Sequence, residues 1–266
     1  MALVTLTTDW GTKDHYLPSV KGSLYKNIEQ VQIIDISHSI LPFDIYQASF
    51  IFKNCYKNFP DNTIHIIGIN SDASIEQPHI AIHYNNQYFI GADNGFFSLV
   101  FGMEPIEIVE IDLIQDSDKY TFSTKDVFVK AAQHIVENST LIGLGNTRDK
   151  INKLMSFEPV IEMDNNSITI IGKVIYLDGY ENAITNISEA LFYEYVKNQI
   201  FDITFNSFSG ELRQISKSYL DVPPSEMCAL FSSNGMLEIS INQGNAGSLL
   251  GLKVDTRVRI SIEKSI

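Results

Sequence analysis

The first half of the chain alternates between short apolar runs and longer amphipathic segments. Apolar, β-branched runs over Leu3–Thr7, Val31–Ile36 and Thr63–Ile69 predict strands, because runs of this length and composition suit a buried sheet. Apolar residues at helical spacing over Asp44–Asn58 and Asp126–Asn138 predict two amphipathic helices. This alternation of strand and helix predicts an α/β domain with helices covering a sheet.

The pattern changes after about residue 150, where the apolar runs become short and closely spaced. The polar segment Asp164–Ser167 indicates a linker over 156–166, between domains at 1–155 and 167–266. One helix is predicted over Glu189–Lys197. The predicted strands of this half are Ser167–Tyr176, Ile200–Phe205, Cys228–Phe231, Met236–Ile241 and Arg257–Ile262. Short strands with turn signals between them predict a smaller, all-β C-terminal domain, either barrel-like or a sandwich.

Composition narrows the function classes. With 266 residues and 44% hydrophobic content, the chain can form two modest domains with real cores. It has no apolar run of about 18 residues and no signal-peptide pattern at its start, so we expect neither a membrane span nor export. A net charge of −13 disfavours nucleic acid and anionic membranes but permits a cationic small molecule. Cys55 and Cys228 are expected to be free thiols of a cytoplasmic protein.

The segment that follows the first strand has two carboxylates around a turn. Asp9 and Asp14 flank Gly11, and glycine allows the backbone to bend sharply. Ligands of α/β proteins bind at the carboxyl ends of strands, where two carboxylates suit ribose hydroxyls or a cation. The structural alternative is that Asp9 caps a helix whose first turn contains Asp14.

Six motifs, in order along nearly the whole chain, resemble those of one protein family. They are Thr8-Asp-Trp-Gly-Thr-Lys-Asp14, Asp35-Ile-Ser-His-Ser-Ile-Leu-Pro-Phe-Asp44, Ala92-Asp-Asn-Gly95, Asp126-Val-Phe128, Asn182-Ala-Ile-Thr-Asn-Ile187 and Ser232-Ser-Asn-Gly-Met-Leu-Glu-Ile239. With these motifs the chain resembles the adenosine-forming S-adenosylmethionine (SAM) hydrolases, also called SAM hydroxide adenosyltransferases, to which fluorinase and chlorinase are related. The resemblance implies a homotrimer that binds SAM or adenosine between the N-terminal domain of one subunit and the C-terminal domain of its neighbour.

The same resemblance implies ligand contacts in the N-terminal domain. By position, Asp9 and Asp14 would hold the ribose diol and the methionine end of SAM. A carboxylate can accept both protons of a cis-diol, and such charge-assisted hydrogen bonds are strong. Phe43 would line the pocket, and a purely structural role after Pro42 is an equal alternative for it.

Further implied contacts lie in the C-terminal domain. Asp178-Gly-Tyr-Glu-Asn182 stands where the family has Asp-x-Phe-Gly-Asn, so Asp178 and Asn182 would contact methionine and adenine. Tyr180 can still stack on a base, whereas Glu181 replaces a glycine and indicates a shifted loop.

Two other segments of this domain match the family's ligand contacts. Asn245 and Ala246 fall where the family offers backbone groups to adenine, and a helix N-cap is the alternative role for Asn245. Ser233 would touch the methionine end.

Hydrolysis at C5′ of SAM needs a positioned, deprotonated water and no metal, because the sulfonium is already a good leaving group. The family polarises this water with an Asp, an Arg and a His, and the corresponding residues here are the neutral Asn70, Gln77 and Ser123. Residues 70–74 correspond to the family's motif Asp-Pro-Gly-Val-Gly. Losing the Asp and Arg together is coherent, because removing one alone would leave a partly buried charge unpaired. Asp72 or His79, each two residues past a triad position, is the alternative water-activating group.

Three hypotheses follow for function. The first is a SAM- or adenosine-binding protein with weak hydrolysis of SAM to adenosine and L-methionine, and the second is an inactive nucleoside-binding homologue with a sensor or structural role. The third is halide-dependent substitution at SAM, since Phe122 and Thr124 match fluorinase's pocket aromatic and halide-binding hydroxyl, although Ala73 replaces its second hydroxyl. The sequence has no cluster with metal-ligand spacing, so we expect SAM as substrate or ligand and no metal.

Overall fold

The computed structural model describes residues 1–102, 107–115, 120–197, 199–206 and 208–263. The chain divides into two compact units, Met1–Met155 and Ser156–Ile266, each with its own hydrophobic core. Residues 160–163, inside the segment predicted as a linker, form a strand of the second unit.

The N-terminal unit is built, in its described residues, on a seven-stranded mixed sheet. The strands are β1 (Ala2–Thr8), β2 (Val31–Ser37), β3 (Ile64–Gly68), β4 (His79–Tyr84), β5 (Gln87–Ala92), β6 (Glu107–Ile111) and β7 (Gly145–Thr147). Their order is β2-β1-β3-β5-β4-β6-β7, in which the first four strands run parallel and the other pairs are antiparallel. The predicted α/β N-terminal domain is confirmed.

Helices cover both faces of this sheet. They are α1 (Tyr16–Asn27), α2 (Ile45–Lys53), α3 (Phe96–Val100) and α4 (Val129–Asn138). One core cluster packs α1 and α4 against the sheet, and a second cluster packs α2 and α3. On β5, Tyr88 and Ile90 belong to the first cluster and Phe89 to the second, as expected when successive side chains point to opposite faces.

The two predicted helices of this unit differ in detail from the structure. α2 begins after Asp44, whose carboxylate accepts the N–H of Gln47 at 2.9 Å, and it ends at Lys53. The side chain of Asn54 donates to the Phe50 carbonyl, and this local bonding competes with continued helix. A separate 3₁₀ turn follows at residues 56–58, and α4 is preceded by a π-helical turn at residues 124–128.

The C-terminal unit has, in its described residues, an eight-stranded antiparallel sheet. Its strands are β8 (Val160–Met163), β9 (Ser167–Leu177), β10 (Ala183–Ser188), β11 (Phe201–Phe205), β12 (Phe208–Leu212), β13 (Met227–Phe231), β14 (Met236–Ile241) and β15 (Arg257–Glu263). The order is β12-β11-β15-β9-β10-β14-β13, with β8 paired to β9. The sheet curls into a half-barrel, and its end strands β12 and β13 do not pair, so the predicted barrel is not closed. Two helices, α5 (Glu189–Val196) and α6 (Ala246–Leu250), accompany the strands.

The two cysteines are free thiols, as expected. Cys55 is partly buried and Cys228 is buried, both are free, and burial raises the pKa of each thiol to about 11. Within the described ranges, no helix is long and apolar enough to cross a membrane.

A buried histidine in β3 makes the stability of the N-terminal unit depend on pH. His65 lies with Nδ1 2.7 Å from Thr5 Oγ1, and burial lowers its pKa from 6.5 to about 4. The unfolded chain therefore binds a proton between these values that the folded chain excludes, and stability falls as pH drops below 6.5 towards 4. We expect this residue to lower the free energy of unfolding by about 2 kcal/mol between pH 7.5 and 5.

Urea unfolding of the wild-type protein and of His65→Gln at both pH values measures this contribution. The wild-type protein should lose more stability than the variant on acidification. The same loss in both proteins would contradict the prediction.

Candidate functional site

A cavity of about 260 Å³ lies at the carboxyl edge of the parallel strands. Its wall is formed by the segments that follow β1, β2 and β3, by the first residue of α1 and by the residues before the π-helical turn: Asp9, Trp10, Tyr16, Pro42, Phe43, Asn70, Ser71, Asp72, Thr121 and Phe122. Because β1, β2 and β3 are parallel, segments distant in sequence meet at one edge. This edge is the general position of ligands in open α/β sheets.

Asp9 is anchored to the segment that follows β2. Its Oδ2 accepts the N–H of Phe43 at 2.8 Å, and the N–H of Gly11 donates to the His38 carbonyl at 2.8 Å. Burial raises the pKa of the half-buried Asp9 carboxyl, and the Phe43 N–H opposes this shift. Helix α1 has no side-chain cap hydrogen bond, so the interpretation of Asp9 as a helix cap is wrong.

Phe43 and Asp14 occupy different positions relative to this cavity. Phe43 lines the cavity, yet its side chain is 71% exposed, so it is not a core residue of the unit. Its φ of +66° is uncommon for a bulky residue, and the hydrogen bond to Asp9 helps to hold it there. Asp14 is exposed on the loop before α1, outside the cavity wall.

Three aromatic rings form one side of the cavity. Trp10 and Tyr16 each contact Phe122 edge to face, with ring centroids 5.5 and 5.2 Å apart. The indole lies against Gly68, where a Cβ would come within 2.6 Å of a ring carbon. Of these rings, sequence reasoning assigned only Phe122 to the site, although Trp10 lies inside the first motif and is the single tryptophan of the chain. Such rings offer apolar surface to a sugar or a base.

Of the three positions that match the family's triad, Asn70 alone lines the cavity. Asn70 has a φ of +44°, which asparagine tolerates. The side-chain amide of Gln77 donates to the carbonyl oxygens of Asn70 and Asp72, both at 2.9 Å, so it braces the loop. Ser123 is buried, with Oγ 3.4 Å from Gln115 Nε2.

Two other polar residues near this loop are not part of the cavity wall. His79 is buried, and its Nε2 donates to the Ser71 carbonyl at 2.8 Å. Burial lowers the pKa of His79 and favours the neutral ring. The fully buried Thr124 hydroxyl donates to Ser71 Oγ at 3.3 Å, and the cavity wall does not include it.

The remaining candidate residues lie in the C-terminal unit. Asp178 organises the turn between β9 and β10, since its Oδ1 accepts the N–H groups of Tyr180 and Asn182, each at 2.9 Å. Its Oδ2 accepts Asn182 Nδ2 at 3.0 Å. Asn182 is buried, whereas the Tyr180 ring is 76% exposed. Ser233 is exposed in the turn between β13 and β14.

Glu181 connects this turn to helix α6. Its Oε2 accepts the N–H of Ser248 at 2.7 Å and the Ser248 hydroxyl, and its carbonyl accepts the N–H of Gly247 at 2.9 Å. These hydrogen bonds lower the pKa of the Glu181 carboxyl. Asn245 is at the N-cap position of α6 without a side-chain cap hydrogen bond, and Ala246 is buried. A negative charge at a helix N-terminus is favourable, so Glu181 supplies the stabilisation that Asn245 does not.

No group of three or more His, Cys, Asp or Glu residues that could hold a metal ion occurs in the part of the chain that the structure describes. Fold and cavity together define a two-unit α/β protein with its candidate ligand site at the carboxyl edge of parallel strands.

Comparisons with known proteins assign the family. Models of the SAM hydroxide adenosyltransferase N-terminal and C-terminal domains match residues 4–145 and 172–259. This chain therefore belongs to the SAM hydroxide adenosyltransferase family.

Individual relatives span almost the whole chain. An (R)-S-adenosyl-L-methionine hydrolase of Methanocaldococcus jannaschii is 29% identical over 259 residues, covering 94% of this chain and 92% of that protein. Another of that name, from Thermus thermophilus, is 23% identical and covers 98% and 100%. The crystal structure of an uncharacterized conserved protein from Thermotoga maritima has a TM-score of 0.85 at 26% identity, covering 97% and 99%.

The contact between Glu181 and Ser248 can be tested by hydrogen exchange. We expect Glu181→Ala to increase the exchange rate of the Ser248 amide, because that N–H loses its acceptor. Exchange measured over residues 245–250 reports the change. Glu194→Ala, which removes an exposed carboxylate of α5, is the matched control and should leave exchange there unchanged. Equal exchange in Glu181→Ala and the wild-type protein would contradict this prediction.

Proposed function

We propose that this protein binds SAM or adenosine and slowly hydrolyses SAM to adenosine and L-methionine. The observation that carries the proposal is the half-buried Asp9 carboxylate in a cavity at the carboxyl edge of the parallel strands. The chain belongs to the SAM hydroxide adenosyltransferase family, and relatives that match it over nearly its whole length are named SAM hydrolases.

Within this proposal, Asp9 accepts hydroxyl protons of the ribose, and Asp14 lies towards the methionine end. Trp10 and Phe122 supply apolar surface, and Phe43 lies at the mouth of the cavity. The arrangement suits a nucleoside because a few polar groups fix the orientation of a ligand that apolar walls surround.

A homotrimer would complete the site. The cavity of about 260 Å³ is smaller than ordinary small-molecule sites, which begin at about 300 Å³, so it can cover only part of SAM. We propose that another subunit covers the rest with residues of its C-terminal unit. Those residues are Asp178, Tyr180, Asn182, Ser233, Asn245 and Ala246.

Slow turnover is expected because Asn70, Gln77 and Ser123 are neutral where a water-polarising triad would stand. No cation stands at these positions to favour the hydroxide form of the attacking water. The sulfonium remains a good leaving group, so the reaction needs no metal in this proposal. Halide-dependent substitution is not proposed, because the Thr124 hydroxyl is buried and donates to Ser71.

The first experiment is incubation of the purified protein with SAM, followed by chromatography of adenosine and methionine. We expect adenosine from the wild-type protein and none from Asp9→Ala. Loss of a charge-assisted hydrogen bond should also weaken adenosine binding by about 10–100-fold.

Glu29→Ala is the control for this experiment, since it removes an exposed carboxylate before β2 and lies outside the cavity wall. It should match the wild-type protein in adenosine binding and in turnover. The proposal would be overturned if Asp9→Ala formed adenosine as fast as the wild-type protein, or if the wild-type protein bound neither SAM nor adenosine.

The second candidate function is a nucleoside-binding protein without turnover, which the three neutral triad positions favour. The combined variant Asn70→Asp, Gln77→Arg, Ser123→His separates the two candidates. If the ligand site is otherwise complete, adenosine formation should rise by about 100-fold or more.

Melting temperature and SAM binding are measured on the same variant, because Ser123 is buried and Gln77 braces the loop. A folded variant that binds SAM and forms adenosine no faster than the wild-type protein would contradict this account of the site.

A further inference from the structure

The cavity wall contains two carboxylates that differ in their surroundings. Asp9 is half-buried, and its Oδ2 is engaged by the N–H of Phe43 at 2.8 Å. Asp72 is exposed and lines the cavity, and among the described residues no hydrogen bond or ion pair engages its carboxylate, although its charge acts on the nearby His79 ring. The two acids therefore suit different tasks, one fixed by the fold and the other open to a ligand or to water.

The backbone that carries Asp72 is unusually well anchored. The four successive carbonyl oxygens of residues 69–72 all accept hydrogen bonds from side chains. Asn94 donates to the first at 2.9 Å, Gln77 to the second and fourth at 2.9 Å, and His79 to the third at 2.8 Å. A loop held in this way fixes the backbone position of Asp72, so the main chain needs little further ordering when a ligand binds.

Neighbouring groups do not compete for the role of a base. The His79 ring is buried, and its Nε2 donates a hydrogen bond to the Ser71 carbonyl. The side-chain amide of Gln77 donates to the Asn70 carbonyl. Asn70 and Ser71, which also line the cavity, are not bases at neutral pH.

From this arrangement we infer that Asp72 is the general base of the proposed SAM hydrolysis, with Gln77 as its positioning residue. This inference rests on the proposed function. A water oxygen attacks C5′ and transfers one proton to an Asp72 carboxylate oxygen. The C5′–O bond forms as the C5′–S bond breaks, and the bonding pair returns to sulfur. The products are adenosine and methionine, whose sulfur is now a neutral thioether. Asp72 then releases its proton to solvent, so charge and atoms balance.

The test compares the rate of adenosine formation by the wild-type protein, Asp72→Asn and Glu76→Gln. Glu76 is the matched control, because it is an exposed carboxylate of the same loop outside the cavity wall. Asp72→Asn should lower kcat by about 100-fold or more without a matching change in SAM affinity.

Gln77→Ala tests positioning and should lower kcat without a matching change in SAM affinity. SAM binding and melting temperature of each variant show that the site is folded. If the wild-type protein forms adenosine and Asp72→Asn forms it at a rate within twofold of the wild-type rate, the inference is overturned and the proposed hydrolysis stands. A wild-type protein that binds SAM and forms no adenosine would overturn both.

Discussion

The parallel pairing of β1 with β2 and β3 is the constraint on which the candidate site depends. Leu6 in β1 is paired with Asp35 on one side and with Ile66 on the other, so the three strands end close to the same edge. β3 is buried along its whole length, and a slip of one residue would turn its apolar side chains to the wrong faces. The core therefore fixes the register, and the register fixes where the three loops meet.

Neutral side chains hold the loop after β3 in place. The amide of Gln77 donates to the backbone carbonyls of Asn70 and Asp72, and the His79 ring donates to that of Ser71. Asp72 lines the cavity, whereas Glu181 joins the β9–β10 turn to α6. Uncharged donors therefore fix the loop and leave its carboxylate on the cavity wall.

Periodicity predicted the elements whose apolar pattern is strong, such as β1, β3, β9 and β15. It did not find β8, because Val160–Met163 is a largely exposed edge strand whose pattern differs little from a linker. The predicted helix over 44–58 is interrupted because Asn54 bonds to the preceding turn, a local choice that hydrophobic spacing does not record. A closed barrel was not predictable from short strands alone, because closure depends on whether the two end strands pair.

The sequence by itself determined the α/β character of the first unit, the short strands of the second and the family to which the chain belongs. It also placed Asp9, Phe43 and Phe122 among the candidate ligand contacts, since these follow from motifs along the chain. Only the tertiary structure decided that Trp10 lies on Gly68 and that Gln77 braces the loop. The first contact joins residues far apart in sequence and forms only after β1 and β3 have paired. The second depends on the turn that the loop after β3 makes, which the spacing of apolar residues does not record.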